Sequence, residues 1–449
     1  MNKWKKRIAF LLSMIVLSGC MTGCTLISSG DDLLQAPRSS ERFMKLQQQL
    51  SDIMGDKLTY VSPQSGSYRN SVTFEDLDKD GTEEAIAFLR EGSGGSVFLY
   101  IFKLQDDEYE QIGHIEGPGS TLGAMSFLQM EDRELILLTW TMSGDVKQGL
   151  TVCGVQNDSV TELLDATYTS YAVCNMDDDS ADELFTVSYD DSGRKTAQIY
   201  GYSGNKMVLI SQTDATQEVQ TVANIETGRL KKGKNQAVFV DNRFENDNGM
   251  QTDIYVMENN KLRNLALSTN ASTYRSVSLY YCTDVDEDGV VEVPQLRAMP
   301  GYDSAASDRE EDTSYSTDVQ WMVDWYQYNE DGTTVRKRTT YENLAEGWRM
   351  RLPDKWRGNV TASSVSDIGI NQTIFVNTHD DNAGEPLLTV YVFTGEDRKQ
   401  KASAANLIVL GETSDSCFAA KLSSEKSQYA LSETEIIHLF EIIQSEWNS

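Results

Sequence analysis

The chain has 449 residues, of which 39 are Lys or Arg and 69 are Asp or Glu, so its formal net charge is −30 at pH 7. This length allows two or three domains. Such a strong negative charge repels phosphate backbones, so no nucleic-acid partner is expected, whereas cation binding is compatible with it.

The N-terminus predicts export across a membrane. Residues 3–7 are mostly basic and residues 8–17 predominantly apolar, which is the order of a signal peptide and too short for a stable membrane span. Two small residues then precede Cys20. These features resemble the signal peptide of a bacterial lipoprotein over residues 1–19, and the resemblance implies a diacylglyceryl group on Cys20. An ordinary secretory signal with a chance cysteine is the alternative.

The same signal predicts a location. A chain anchored through Cys20 would lie on the outer face of the bacterial cytoplasmic membrane, so the membrane is an expected partner through the lipid anchor. Residues 20–36 are mostly small or polar and predict a flexible tether. Cys24 follows a second, weaker version of the same cleavage motif.

Residues 37–56 predict an amphipathic helix, with Ser40 as its N-cap and Gly55 at its end. Apolar residues recur there at intervals of three and four, which places them on one helix face. That face would carry Phe43, Leu46, Leu50, Ile53 and Met54. A single amphipathic helix must pack on something, so we expect it to dock on the domain that follows.

Residues 58–341 predict a domain of short β-strands. Apolar runs recur there, separated by Gly, Asn, Asp and Ser, which are typical turn residues. Examples of such runs are residues 85–89, 96–102, 135–140 and 196–200. The fold class expected is mainly β.

Three acidic loops within this region share one spacing, with oxygen-bearing side chains at positions 1, 3, 5 and 9. The loops contain Asp76, Asp78, Asp80 and Glu84; Asn175, Asp177, Asp179 and Glu183; and Asp284, Asp286, Asp288 and Glu292. Several hard oxygens around one point favour Ca²⁺ over softer metals, and we expect a structural rather than a catalytic ion. The alternative is an acidic turn that satisfies its own backbone without metal.

An EF-hand is excluded, because it needs Glu at position 12. Ala87, Thr186 and Gln295 occupy that position in the three loops. Gly81 and Gly289 stand at position 6, where a tight turn is needed, and Ser180 replaces glycine in the second loop.

The acidic loops also define a repeat. Together with two degenerate units, placed near Ser126 and Asn224, the units start at residues 76, 126, 175, 224 and 284, at intervals close to fifty residues. A four-stranded antiparallel sheet with its turns needs about 40–50 residues, which is the size of a propeller blade.

The first loop, followed by the run from Glu84 to Phe88, resembles the calcium loop of FG-GAP/VCBS-type repeats, which build integrin-like β-propellers. The resemblance covers roughly residues 35–340 and extends to exported lipoproteins of Firmicutes that carry such repeats. It implies a propeller-like domain of five or six blades within residues 37–341, with calcium in the acidic loops. It implies no particular activity.

Residues 342–449 predict a separate, small α+β domain. Two tryptophans flank an alternating strand at residues 346–356, and further strands are expected at 373–377 and 387–393. Ser432 and Glu435 form a capping box. It would open a final helix whose apolar face carries Ile436, Leu439, Phe440, Ile443 and Trp447.

Catalytic constellations are sparse. The three histidines, His114, His379 and His438, stand in no recognisable catalytic or metal-binding motif. The cysteines show no CxxC pair; buried thiols are expected, and a Cys153–Cys174 bridge is left open.

Four tryptophans occur near the predicted domain boundary. They are Trp321, Trp325, Trp348 and Trp356. Because the runs around them alternate like half-buried strands, core packing is favoured over a sugar-stacking platform.

The leading hypothesis is therefore a non-enzymatic, lipid-anchored envelope protein that binds a protein or glycan ligand or has a structural role. A carbohydrate-active enzyme with the propeller as its platform is one alternative. A solute-binding lipoprotein of a transporter is another, but that class needs alternating βα units, which residues 58–340 do not show.

Overall fold

The computed structural model describes most of the chain from residue 41 onward. The described residues are 41–142, 148–190, 192–232, 236–244, 249–276, 279–302, 319–379, 383–404, 406–423 and 427–443. The predicted signal peptide, the tether, Cys20, Cys24, Ser40 and Trp447 lie outside them. The described residues form two compact units: one contains residues 41–56 and 104–110, and the other contains residues 57–103 and those from 111 onward.

The first unit contains helix α1, Glu41–Met54, as the apolar spacing predicts. Leu46 and Leu50 are buried in it. The ring of Phe43 lies 6.4 Å from that of Tyr109, in a stacked arrangement. The helix therefore packs its apolar face within its own unit.

Within the described residues, the strands form six antiparallel sheets of four or five strands each. The first sheet contains β1 Leu58–Tyr60, β2 Val72–Glu75, β3 Glu84–Glu91, β4 Val97–Gln105 and β5 Glu108–Glu116. The second contains β6 Thr121–Gln129, β7 Glu134–Thr141, β8 Gln148–Gln156 and β9 Ser159–Tyr168. The third contains β10 Ser170–Cys174, β11 Glu183–Tyr189, β12 Lys195–Ser203 and β13 Lys206–Asp214.

The later sheets continue this succession. The fourth contains β14 Val219–Arg229, β15 Gln236–Phe244, β16 Met250–Glu258, β17 Lys261–Asn264 and the short β18 Tyr274–Arg275, and helix α2, Leu265–Ser268, follows β17. The fifth begins with β19 Val293–Ala298, β20 Trp321–Tyr328, β21 Thr334–Asn343 and β22 Trp348–Arg351. A 3₁₀ turn, Asp354–Trp356, leads to the sixth sheet.

The sixth sheet contains β23 Val360–Asp367, β24 Ile370–Asn377, β25 Pro386–Thr394, β26 Ile408–Glu412 and β27 Ser416–Leu422, with helix α3, Arg398–Ala402, before β26. Helix α4, Glu433–Leu439, and β28, Phe440–Ile442, follow. The strand order in the second, third and fourth sheets is sequential, as in blade-like meanders. The predicted fold class, mainly β and propeller-like, is confirmed.

Strands β3, β7, β11 and β15 are buried on both faces, which explains their apolar runs. In β7, Ile136 and Leu138 pack towards the first sheet, whereas Leu135 and Leu137 pack towards the third. Side chains alternate between the two faces of a strand, so one run supplies two cores. In this way five core clusters each join two successive sheets.

The hairpins β4–β5, β8–β9, β12–β13 and β16–β17 repeat one turn. Two adjacent residues adopt positive φ in each: Asp106 and Asp107, Asn157 and Asp158, Gly204 and Asn205, and Asn259 and Asn260. This is the type I′ pattern, which suits the twist of paired strands and favours Asn, Asp and Gly.

The structure supports the register of the degenerate start near Ser126, because Glu134 begins β7 as Glu84 begins β3, and it corrects the start near Asn224. Ser126 lies inside β6 and Asn224 inside β14, so neither begins a loop. The equivalent strands β3, β7, β11 and β15 begin at residues 84, 134, 183 and 236, which keeps the period near fifty. The placement near Asn224 was wrong because the fourth sheet lacks an acidic loop to fix the register.

The C-terminal segment shares a sheet with the preceding region. Strand β28 pairs with β22, which pairs with β21, and so the fifth sheet extends across the predicted boundary at residue 342. The boundary itself stays a prediction. The predicted final helix ends at Leu439, and its extension through Phe440 was wrong, because Phe440 begins a strand opposite Met350.

Tryptophans and cysteines near these sheets fill the core. Trp325, Trp348 and Trp356 are buried, and Trp348 stacks on Phe440 with ring centroids 5.6 Å apart. The four described cysteines, Cys153, Cys174, Cys282 and Cys417, are buried free thiols, so the Cys153–Cys174 bridge does not form. Within the described residues, no helix combines the length and hydrophobicity needed to cross a membrane.

Candidate metal centre

The constant spacing of the three acidic loops has a structural cause. The residues just before position 1 and at position 9 are cross-strand partners: Glu75 faces Glu84, Cys174 faces Glu183, and Thr283 faces Glu292. Eight residues therefore connect the two strands each time. Because the strand pairing fixes both ends of each loop, the three loops have the same length. Equivalent residues of the three loops therefore lie at equivalent places beside their strands.

The glutamate at position 9 holds its own loop in place. Its carboxylate accepts a hydrogen bond from the backbone amide of position 2, at 2.9 Å from Leu77 to Glu84 and 2.7 Å from Met176 to Glu183. The same contact joins Val285 and Glu292 at 3.0 Å. The side chains at position 2 are buried, so each loop is fixed from inside.

The turn within each loop requires left-handed backbone. Position 4 has positive φ in all three loops, at Lys79, Asp178 and Glu287. Position 6 has positive φ where it is glycine, at Gly81 and Gly289. The second loop, with Ser180 at position 6, closes differently: the Asn175 side-chain amide donates to the carbonyl of Asp179 at 2.7 Å.

Carboxylates in the acidic loops also accept hydrogen bonds from backbone amides of the same loop. In the first loop, the Asp76 carboxylate accepts from the amides of Asp80 and Gly81, at 3.1 Å and 3.0 Å. Asp80 in turn accepts from the amide of Thr82 at 2.8 Å. The third loop repeats the pattern with Asp284 and Asp288, in contacts of 2.6–3.0 Å. These contacts organise the loop and leave other oxygen lone pairs free.

In each loop, three carboxylates converge. Ligand atoms of three residues lie within 4.8 Å of one another. The three groups are Asp76, Asp78 and Glu84; Asp177, Asp179 and Glu183; and Asp284, Asp286 and Glu292. Of the predicted carboxylate ligands, Asp80 and Asp288 are not members of these triads, and the second loop has the amide side chain of Asn175 at its first position in place of a carboxylate. Hard oxygens in this number suit Ca²⁺.

Burial sets the electrostatics of these groups. It raises the pKa of Glu84, Glu183 and Glu292 to about 7 in each case, because the charged form loses its hydration. The hydrogen bond from the loop amide opposes this shift only in part. A cation would stabilise the charged carboxylates.

Each loop also contains one buried oxygen that has no hydrogen-bond partner. These atoms are Glu84 Oε1, Asn175 Oδ1 and Asp286 Oδ1. An unpaired buried acceptor costs free energy, and a bound cation would remove that cost. The donor sets therefore fit a hard divalent ion.

The loops differ in their basic neighbours. Lys103 Nζ lies 2.5 Å from Asp78, 3.5 Å from Asp80 and 3.2 Å from Asp158. In the third loop, an Arg338 guanidinium nitrogen lies 3.1 Å from Asp286. A basic group therefore partly neutralises each of these two triads.

The triad of the second loop has no such neighbour. Asp177, Asp179 and Glu183 make no ion pair with any described basic residue. Arg229 contacts this loop, but it binds Asp178, which is outside the triad, through two hydrogen bonds of 3.0 Å. Among the described residues, the second triad is therefore the one whose carboxylates form no ion pair.

The loops also connect neighbouring sheets. The amide of Glu134, in the second sheet, donates to the carbonyl of Leu77 at 2.9 Å. The amide of Asn175 donates to Gln236 in the fourth sheet at 3.1 Å. At the third loop, the amide of Arg229, in the fourth sheet, donates to the carbonyl of Gly289 at 3.1 Å. The amide of Val291 donates in return to the carbonyl of Arg229 at 2.9 Å. An ion in a loop would therefore stabilise contacts between sheets.

The histidines occupy ordinary structural positions. His114 stacks on Tyr100, with ring centroids 5.3 Å apart. His379 follows β24, and His438 lies on α4 with Nδ1 2.7 Å from the carbonyl of Thr434. Nothing in these contacts resembles a nucleophile–base pair.

A buried polar network in the fourth sheet was missed by sequence reasoning. Arg275 and Asp241 form a fully buried ion pair with a contact of 2.8 Å. Nearby, Lys195 Nζ donates to Asn242 at 3.0 Å, and Asn242 donates to Asp253 at 3.1 Å. The only signal in the sequence was charged residues within strand-like runs, which also fits solvent-facing positions.

No protein-family model and no curated protein matches this sequence. Among solved structures, a protein from Lactobacillus plantarum is similar, with a TM-score of 0.27, 7% identity, and coverage of 72% of this chain and 85% of that one. A rhamnogalacturonan lyase from Bacillus licheniformis gives a TM-score of 0.25, 13% identity, and coverage of 84% and 73%.

A putative 6-phosphogluconolactonase from Bacteroides uniformis gives a TM-score of 0.26 and 13% identity, covering 71% of this chain and 81% of that one. Similarities this low carry no argument about activity.

Proposed function

We propose that this protein is a non-enzymatic, calcium-stabilised binding or structural protein of the FG-GAP/VCBS type, anchored by a lipid on the outer face of the cytoplasmic membrane. The observation that supports this most is the threefold occurrence of one loop. Each copy has a buried glutamate at the first residue of a strand or directly before it, and a triad of carboxylates within 4.8 Å.

Calcium would be held by the triads, and its role would be structural. The ion supplies positive charge to carboxylates that burial otherwise disfavours, and the loop residues already bond to neighbouring sheets. An ion that binds only the folded state raises its stability by mass action. The protein should therefore melt at a higher temperature in calcium than in chelator.

Glutamate-to-glutamine variants test this role directly. Glu84→Gln, Glu183→Gln and Glu292→Gln each change one loop, and calcium binding is measured by calorimetry together with thermal melting. Glu134→Gln is a matched control, because Glu134 also begins a second strand but follows a short turn without the acidic triad. Identical melting of the wild type in calcium and in chelator, with no heat of binding, would reject the calcium role.

The lipid anchor rests on the sequence around Cys20. A Cys20→Ala variant should lose acylation and leave the membrane fraction, whereas Cys24→Ala should not. Acyl labelling followed by cell fractionation separates the two. Unchanged membrane retention and labelling in Cys20→Ala would contradict the anchor without affecting the calcium proposal.

The non-enzymatic role is proposed because the sequence carries no recognisable catalytic motif. Its ligand class is a protein or a glycan. Binding to a glycan array without release of products would agree with the proposal, whereas turnover of any bound glycan would favour a carbohydrate-active enzyme.

A further inference from the structure

A basic cavity lies at the junction of β21, β22 and α4. It has a volume of about 490 Å³, which is within the range of small-molecule sites. Lys337, Arg338 and Arg351 bring three positive charges to its wall, and His438 lies beside them. So many basic groups around one concave space are unexpected in a chain whose net charge is −30.

The acids that also line the cavity are already engaged. Asp354 accepts from Arg336 at 2.9 Å. Glu435 caps its own helix, accepting from the amide and hydroxyl of Ser432 at 2.7 Å and 2.8 Å. Neither acid pairs with the lysine or with Arg351.

The basic side chains are available to a ligand. Lys337 and Arg351 are exposed and form no ion pair with another described residue. Arg338 is more firmly held, by the carbonyl of Val285 at 3.0 Å and by Asp286. The carbonyl of Thr434 fixes the ring of His438, because Nδ1 is 2.7 Å from it.

We infer that this cavity binds an oxyanion-bearing ligand of about the size of a sugar. Lys337 and Arg351 would contact the oxyanion, since ammonium and guanidinium groups recognise carboxylate and phosphate through charge-assisted hydrogen bonds. Leu352, Pro353 and Leu439 provide an apolar wall for the body of the ligand. The inference deepens the proposed binding role, on which it rests, by naming a ligand class.

Calorimetric titrations with glucuronate and with glucose 6-phosphate distinguish a carboxylate from a phosphate ligand, and glucose is the uncharged control. All titrations use the full chain in excess calcium. We expect one of the two anions to bind and glucose not to bind. Lys337→Gln and Arg351→Gln should each weaken binding about tenfold to a hundredfold, the range for one charge-assisted hydrogen bond.

Lys206→Gln is the matched control, because it removes one exposed positive charge at the start of β13, outside the cavity. It should bind like the wild type. Raising the ionic strength from about 0.01 M to about 1 M should also weaken binding of the wild type, since the Debye length falls from about 30 Å to about 3 Å. The ionic-strength test uses only the wild type, so its result does not depend on whether a variant folds.

The inference is overturned if neither anion binds, or if the two cavity variants bind as tightly as the Lys206→Gln control. If calcium still raises the melting temperature in that case, the calcium proposal stands and only the anion site fails. If calcium has no effect but an anion binds through Lys337 and Arg351, the cavity site stands without the calcium role.

Discussion

Lys103 places its ammonium 2.5 Å from the carboxylate of Asp78, so a basic side chain reaches the position where the first loop would contact a metal. The same ammonium lies 3.2 Å from Asp158. Charge pairing holds Lys103 in its charged form, because the carboxylates around it raise its pKa. Ca²⁺ would have to bind against this charge or displace it.

We therefore expect Lys103→Met to tighten calcium binding at the first loop. A unit charge and a divalent ion about 4 Å apart repel by about 8 kcal/mol at an effective dielectric of 20, but the lysine can move towards Asp158, so we expect a gain of only about tenfold. Calorimetry should use a background with Glu183→Gln and Glu292→Gln, in which only the first loop is intact. Lys45→Met is the control, because Lys45 and its ion-pair partner Glu108 both belong to the first unit, which does not contain the first loop. Unchanged affinity would show that the lysine does not compete.

The second loop should contribute most to calcium-dependent stability. Its triad has no basic neighbour among the described residues, whereas Lys103 and Arg338 partly neutralise the other two. A site filled at about 100 times its dissociation constant contributes about 2.7 kcal/mol. Asp177→Asn should therefore reduce the calcium-induced rise in melting temperature more than Asp78→Asn or Asp286→Asn does. Equal losses from the three variants would contradict this order.

The sequence predicted the loops because their pattern is local. Eight residues link two paired positions, and the turn chemistry lies within those eight, so the spacing repeats wherever the geometry does. The basic neighbours could not be predicted, because Lys103 is 25 residues from Asp78 and reaches it only through the sheet. The cavity with Lys337 and Arg351 has the same property, since strands and a distant helix create it.

Helix α4 shows where local pattern and tertiary pairing conflict. The capping box at Ser432 predicted its start, and the structure contains both of its hydrogen bonds. Phe440 also fits the apolar face of a longer helix. Pairing with Met350 in the fifth sheet instead places it in a strand, and nothing near Phe440 in the sequence indicates that partner.

Lys195 predicts a distinct pH dependence. Burial lowers its pKa to about 8, with the charge of Asp253 opposing the shift. Between about pH 8 and the unfolded value near 10.4, the unfolded chain binds a proton at Lys195 that the folded chain has released, so the contribution of Lys195 to folding stability should rise with pH there, by at most about 1.4 kcal/mol per unit relative to a variant without it. Lys195→Met should lose this rise. Chemical denaturation from pH 7.5 to about 9.5, below the tyrosine range, compares the two proteins. Parallel profiles would contradict the shift.

The fifth and sixth sheets should unfold together, because Tyr341 connects them. Its ring lies 5.5 Å from that of Trp348 and 5.2 Å from that of Phe375, and Met299 and Met322 belong to the same core cluster. A fragment of residues 342–449 lacks β19, β20 and nearly all of β21, so we expect it to show no cooperative melting, whereas a fragment of residues 279–449 should melt cooperatively. In the full chain, Tyr341→Ala should destabilise this region by about 3–5 kcal/mol, the range for large-to-small changes of buried aromatic residues.

The control for that substitution is Tyr189→Ala, because Tyr189 is 51% exposed at the end of β11 and should tolerate the change. Hydrogen exchange measures the effect by sheet: Tyr341→Ala should raise exchange in β20 to β25 and leave β7 and β11 unchanged. Cooperative melting of the fragment of residues 342–449, together with full protection of β24 and β25 in Tyr341→Ala, would instead support an independent C-terminal domain.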